Sequence, residues 1–314
     1  MKNKIAILFV FVMLILTAGC AQRPSGSKEI FSEDYNYPVE VCGITLESAP
    51  KRVVVLSPSL AEIISDMGFS DTLVGRSKEC DYPETVSQLT ATGSVLLPDI
   101  DEITKLKPDL LLVQTQPSDS ISKLFKEKNI PVIVVPAARR FEELQTVYTN
   151  IGKIFSGDKT GLSKGIAHMK ALSDALKSIT EATAPFSAEK PVVAVYITDS
   201  FGHAATGDTV LHHLITSAGA VNAAGSGKEW IADKDMLSKA DVVFCPDQLT
   251  ENIKVMANLA NSPAIKNGRV YGIQAAAMER QSQRMIDAVK VMAQKMYPDA
   301  IAATTGQPSQ TSMR

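Results

Sequence analysis

The chain has little with which to do covalent or metal chemistry. Its four histidines and four cysteines are scattered over 314 residues, with no CxxC and no metal-ligand spacing among them. Neither a structural zinc site nor a histidine-based acid–base centre is therefore spelled out. There is no glycine-rich phosphate loop, no GxSxG and no HExxH, so the usual nucleotide, acyl-transfer and metalloprotease signatures are missing. An enzyme is not expected. Tryptophan occurs once, at Trp230. Charge of one sign is also missing: the net charge of −2 gives no footprint for nucleic acid. Besides Cys20, the cysteines are Cys42, Cys80 and Cys245. That is an odd number, in a chain large enough not to need a disulfide framework, so at least one thiol is expected free or paired between chains.

A long hydrophobic run is missing as well. Lys2 and Lys4 precede an apolar stretch from Ile5 to Leu16, too short to span a bilayer. A basic start, a short apolar region and small residues at a cleavage point make a secretory signal. The stretch ends in Leu16-Thr17-Ala18-Gly19-Cys20, which resembles the bacterial lipobox. That resemblance implies cleavage before Cys20 and lipids on the new N-terminal cysteine. Several acyl chains hold a bilayer far more firmly than one. The protein is expected outside the cytoplasm, tethered to the cell membrane, on the periplasmic face if the cell has an outer membrane.

What the chain does have is alternation. Hydrophobic residues make up 45% of it, enough for two cores. Arg52–Leu56 is a short β-branched run, followed by Ser57-Pro58-Ser59. Ser59 is placed to cap a helix through Leu60, Ile63, Ile64 and Met67, closed by Gly68. Leu110–Val113 and Val132–Val135 are further strand runs, with an amphipathic helix over Ser118–Lys128 between them. Continuous apolar strands separated by helices imply a parallel sheet covered on both faces. A second unit begins at Pro191, with strands at Val192–Ile197, Val242–Cys245 and Val270–Ile273. Its helices are read at Thr209–Ala218, Glu251–Leu259 and Met278–Met296. Between the units, Leu162, Ile166, Met169, Leu172, Leu176 and Ile179 recur at steps of three and four. They predict one helix over Asp158–Glu181, about 35 Å long.

The fold class expected is α/β: two lobes with mostly parallel sheets, joined by one long backbone helix, with a ligand cleft between them. The organisation is a lipoprotein signal peptide over 1–19, a flexible tether over 20–36 and an N-terminal lobe over 37–157. The linking helix follows over 158–183, then a C-terminal lobe over 184–300 and a disordered tail over 301–314. The halves echo one another. Ile103–Asp109 and the strand after it parallel Met236–Asp241 and its strand, with a one-residue gap; Glu62–Gly68 parallels His213–Gly219.

Several segments together carry a family resemblance. They are Ala49–Ile63 (APKRVVVLSPSLAEI), Val74-Gly75-Arg76-Ser77, Cys80-Asp81-Tyr82-Pro83 and Leu106–Leu110 (LKPDL). These resemble bacterial ABC-importer substrate-binding proteins of the subgroup with a helical backbone, over roughly residues 39–297. That subgroup takes cobalamin, haem and iron-siderophores, and Asp-Tyr-Pro after Val-Gly leans toward its cobalamin branch. The resemblance implies a ligand cleft between lobes that close only slightly. It also implies a permease engaged through one acid per lobe, and an ATPase behind that permease. No catalytic group and no cofactor are implied; the metal chelate is cargo, and the protein is expected to act as a monomer.

In such a fold the cleft is built from loops at strand ends. Ser57 is a candidate contact whose alternative is a helix cap. Cys80 and Tyr82 lie on a loop after the second strand. Tyr82 either lays its ring on a macrocycle, ligates iron through its phenolate or packs under Pro83; a thiol such as Cys80, when buried, is usually packing. Trp230 follows Gly225-Ser226-Gly227 and suits a corrin or porphyrin face. Phe201 and His203 sit in the loop after the second lobe's first strand, where His203 is an alternative axial ligand to Tyr82. His212 and His213 are read as structural. Arg280 belongs to Met278-Glu279-Arg280; the cobalamin binders keep an aromatic and an acid where this chain has Ala276 and Ala277. For docking, Asp101 or Glu102 stands at the family's first acidic position. The one-residue gap sets Lys234 opposite Asp101, with Asp233 and Asp235 flanking it, and Asp235 is preferred. Acids also favour helix starts for electrostatic reasons alone.

Overall fold

A computed structural model describes residues 37–305. The lipobox cysteine Cys20, the signal peptide and the tether lie outside the described residues, as does the tail beyond residue 305.

The first lobe opens with a hairpin, β1 (Val39–Val41) and β2 (Ile44–Leu46). Then come β3 (Val53–Val55), α1 (Pro58–Asp66), β4 (Leu73–Arg76), α2 (Glu84–Ser87), β5 (Thr90–Ala91) and α3 (Ile100–Lys105). The lobe continues with β6 (Leu110–Val113), α4 (Asp119–Glu127), β7 (Val132–Val134) and α5 (Leu144–Ser156). Its sheet has the order β5-β4-β3-β6-β7 and is parallel throughout. The three valines of β3 are fully buried, as a strand covered on both faces must be. Ser57, not Ser59, caps α1: its Oγ accepts from the Leu60 amide, and Pro58 takes the first helical position. The capping oxygen must come from the residue before the first helical turn, and Pro58, which suits that first position, moves the cap back to Ser57.

The spine is α6 (Asp158–Glu189). At 32 residues it is about 48 Å long, roughly two turns beyond the expected end at Glu181, and it passes Pro185 near its C-terminus. Met169, Leu172, Leu176 and Ile179 are buried as expected, but Leu162 and Ile166 are about 40% exposed. At that end the buried positions are Gly161 and Gly165. A Cβ on Gly161 would come within 2.3 Å of the Gly152 carbonyl carbon. Helices α5 and α6 therefore pack backbone to backbone, and no leucine fits between them.

The second lobe runs β8 (Val192–Tyr196), α7 (Val210–Ser217), β9 (Ala220–Asn222), α8 (Lys234–Leu237) and β10 (Val242–Pro246). It continues through α9 (Thr250–Lys254), α10 (Pro263–Lys266), β11 (Val270–Ile273), α11 (Ala275–Glu279), α12 (Met285–Met296) and α13 (Pro298–Thr305). Its parallel sheet has the order β11-β10-β8-β9. Two expected helices are shorter than read. The one over Glu251–Leu259 ends at Lys254, and a separate helix capped by Ser262 follows at Pro263. The one over Met278–Met296 is broken at residues 280–284, whose side chains reach the other lobe. Residues 301–305, read as tail, are helical.

One apolar core runs through both lobes along α6, from Val53 and Ile63 through Leu172 to Leu214 and Met292. Separate clusters fill the outer face of each sheet. The lobes are thus fused along the spine and open only at the strand ends.

Candidate functional site

Between the lobes lies a cavity of about 640 Å³. The first lobe supplies Ala137, Ala138 and Arg139, from the turn after β7. The second supplies Thr198, Asp208 to Leu211, Glu229 and Trp230, and from the segment near residue 280, Met278, Glu279, Gln281 and Met285. Trp230 stands 40% exposed at this cavity. Its φ of +66° is unusual for a bulky residue; the backbone is held by Trp230 N donating to Thr206 Oγ1 (3.1 Å) and Ala204 N donating to the Trp230 carbonyl (2.9 Å).

The walls carry more acid than base. Asp208, Glu229 and Glu279 face a single arginine, Arg139. Hydrogen bonds from the Thr206 hydroxyl and the Glu229 amide hold the Asp208 carboxyl below the usual range. Burial pushes Glu279 up, partly offset by the Tyr196 hydroxyl that donates to it at 2.9 Å.

A second cavity, about 300 Å³, lies within the first lobe at the C-terminal ends of β3 and β6. Ser57 lines it, next to Gln114, Thr115 and the exposed Leu96. The Ser57 hydroxyl donates to Gln114 Oε1 while its oxygen caps α1, so Ser57 both caps a helix and faces a cavity.

The other expected contacts are placed differently. Cys80 is fully buried against Ser77; burial raises its thiol pKa, and it lines neither cavity. Arg280 is held by Glu62 and Asp81 and donates to the Glu79 carbonyl. These bonds turn its guanidinium toward the first lobe, and it does not line the cavity. Tyr82 is exposed, its ring 4.4 Å from the Arg284 guanidinium. Phe201 is 87% exposed. His203 bonds Asp199 through Nδ1 at 2.6 Å on the same open loop. Among the described residues no group of three or more His, Cys, Asp or Glu side chains could hold a metal. His212 is bonded to Asn222, and His213 stacks on Phe141 at 3.7 Å across the lobes.

The structure fixes the register of the acids expected to face a permease. Asp99 caps α3 by accepting from Glu102 N, and Asp233 caps α8 by accepting from Met236 N. Buried Ile103 and Leu237 follow four residues after each cap. The gap between the halves is therefore two residues, not one, and it falls between Leu106 and Leu110. Asp235 then stands opposite Asp101, and Met236 opposite Glu102, which itself pairs with Lys105 at 2.8 Å. The same register sets the exposed Leu96 and Leu97 opposite Trp230 and Ile231.

Arg139, Asp208, Glu229 and Gln281 were not picked out from sequence. Arg139 was open to the rule that strand-end loops build the cleft, since it follows β7 directly; the other three lie in loops whose course is set by tertiary contacts.

The model of the periplasmic binding protein family matches residues 53–277. An uncharacterised ABC transporter substrate-binding lipoprotein of Bacillus subtilis is 28% identical, covering 94% of this chain and 96% of the relative. A cobalamin-binding protein of Halobacterium salinarum is 24% identical, covering 82% of this chain and 72% of the relative. A periplasmic heme-binding protein from Pseudomonas aeruginosa superposes with a TM-score of 0.67 at 19% identity, covering 80% of this chain and 94% of that one. This last likeness shows the fold.

Proposed function

This chain belongs to the periplasmic binding protein family, and we propose that it is the substrate-binding lipoprotein of an ABC importer, capturing a corrinoid and delivering it to a membrane permease. The observation that carries the ligand class is the cavity wall: the sole tryptophan beside three carboxylates and one arginine. A flat macrocycle stacks on an indole face. Haem brings propionates and many ferric siderophores a net negative charge, which this wall repels. A corrinoid brings peripheral carboxamides, which donate hydrogen bonds to carboxylates such as Asp208 and Glu229. The cobalamin-binding relative supports the same reading. Cys20 carries the lipid anchor in this proposal, and Asp101 and Asp235 are the acids offered to the permease, one from each lobe.

Titrating the protein with cyanocobalamin, hemin and a ferric siderophore, followed by Trp230 emission and by calorimetry, tests the ligand. Tight binding of cyanocobalamin with strong quenching is expected. Tight binding of hemin or the siderophore, with none of cyanocobalamin, overturns the corrinoid assignment in favour of the other chelates.

A further inference from the structure

Glu62 lies on α1 with its carboxylate fully buried. An isolated buried carboxylate costs several kcal/mol, so it must be paired and hydrogen-bonded. Each of its partners belongs to the other lobe. Arg280 Nη1 and Arg284 Nη1 donate to Oε1 at 2.8 and 3.0 Å, and the Ser282 hydroxyl donates to Oε2 at 2.6 Å. Arg280 also reaches Asp81, so two carboxylates balance two guanidiniums across the lobe boundary.

The three partners are residues 280, 282 and 284 of the bend-and-turn segment that separates α11 from α12. Of their neighbours, Glu279, Gln281 and Met285 line the ligand cavity, while Gln283 donates to Asp66 and to the His168 carbonyl. Gln281 is itself bonded to both the amide and the carbonyl of Ala138, on the opposite wall, at 2.9 and 2.6 Å. One strap thus has two faces, one set by Glu62 and the other presented to the cargo.

We propose that Glu62 is the positioning residue of the ligand site: by holding Arg280, Ser282 and Arg284 it fixes where Glu279 and Gln281 stand and how far apart the two walls are. The inference deepens the proposed binding function and rests on it only for the identity of the cargo. Glu62 touches no ligand. Its charge holds the strap against the first lobe; without it the guanidiniums lose their buried counter-ion and the strap is free to move.

The test is Glu62→Gln, which keeps the shape but removes the charge. Two readouts are needed. Hydrogen exchange is expected to accelerate at residues 278–285 and 79–82, with the amides of β3 and β8 unchanged. Cyanocobalamin binding is expected to weaken by about tenfold or more. Unchanged exchange in the strap overturns the proposal, and so does acceleration spread evenly over both sheets, which would make Glu62 a contributor to global stability only. Should Glu62→Gln fail to fold, Ser282→Ala removes the bond to Oε2 together with the acceptor of the Arg284 amide and must show the same local pattern in smaller measure; no change there overturns the proposal too. If the parent binds neither cyanocobalamin nor hemin, the cargo assignment fails, while the exchange pattern still decides the role of Glu62.

Discussion

The two lobes share a sheet order and differ in their first crossover. β4-β3-β6-β7 corresponds to β9-β8-β10-β11, and Asp109 and Asp241 occupy the same place, each accepting from the backbone amides that lead into the central strand. In the first lobe β3 reaches α1 through Leu56 and Ser57 alone; in the second, the loop over residues 197–209 separates β8 from α7. At the paired strand-end tips the first lobe offers Leu96 and Leu97, the second Trp230 and Ile231. The first lobe is thus a short-looped wall that supplies the buried anchor, Glu62. The second carries the long loop, the indole and most of the cavity's charge. What the halves keep in common, Asp101 and Asp235 after their caps, is what we propose they offer to a partner with two equivalent sites; what they do not share is proposed to serve the cargo.

Reversing the shared feature should have the largest effect. Asp101→Lys together with Asp235→Lys is expected to abolish uptake in cells while leaving cyanocobalamin affinity within about twofold, because rim charges act on association with the partner. Either single reversal should leave partial uptake that worsens with added salt to a lesser degree than the parent. Full uptake by the double variant would discard these acids as docking points; lost ligand binding would move them into the cleft.

Substituting the unshared feature sharpens the comparison. Trp230→Ala is expected to weaken cyanocobalamin binding by about 1–3 kcal/mol, as for a lost aromatic anchor. Its first-lobe counterpart, Leu96→Ala, removes a side chain that is 79% exposed and should cost under about 1 kcal/mol. Calorimetric titration of both variants measures the ratio. Equal losses would mean that the lobes grip the ligand alike.

Much of this was legible along the chain and some was not, for physical reasons. The central strands announce themselves as β-branched runs because both their faces are buried, and α6 through its apolar steps. The edge strands β5 and β9, of two and three residues, carry too few side chains for any period. The break between α11 and α12 leaves no local sign: the Glu62 carboxylate that its residues bond is 218 residues from Arg280 in sequence. Trp230 was found at the cavity by its chemistry. Cys80 and Arg280 lie away from the cavity, which residue type alone does not reveal, because it does not say whether a side chain faces the cleft or the partner lobe. Gly161 carried the opposite lesson: its value lies in having no side chain, which a search for apolar residues overlooks.

The smallest expected effect concerns two acids of the first lobe that face the same strap. Asp81 is held below the usual carboxylate range by its hydrogen bond to Arg280. Asp66, one turn beyond Glu62, is raised from 3.8 to about 6, chiefly by burial, with Glu62 adding to the rise and the Gln283 amide and Arg284 opposing it. The signs follow by linkage. A carboxyl whose folded pKa exceeds its unfolded value binds protons more tightly in the fold, so Asp66 lowers stability as pH rises from about 4 through about 6. Asp81 does the reverse, and its contribution is lost as pH falls below its unfolded value. Asp66→Asn keeps an oxygen to accept from Gln283 but cannot ionise. It is expected to raise the melting temperature at pH 7.5 by about 2–4 °C, the scale on which about 1 kcal/mol moves a chain of this order, and to give no gain at pH 4.5. Asp81→Asn should instead lower the melting temperature at pH 7.5, and by less, because its carboxylate is largely exposed and screened by solvent. Thermal scans of both variants at the two pH values decide the matter; a gain for Asp66→Asn that is the same at pH 4.5 and 7.5 would mean that its charge is not what the fold resists.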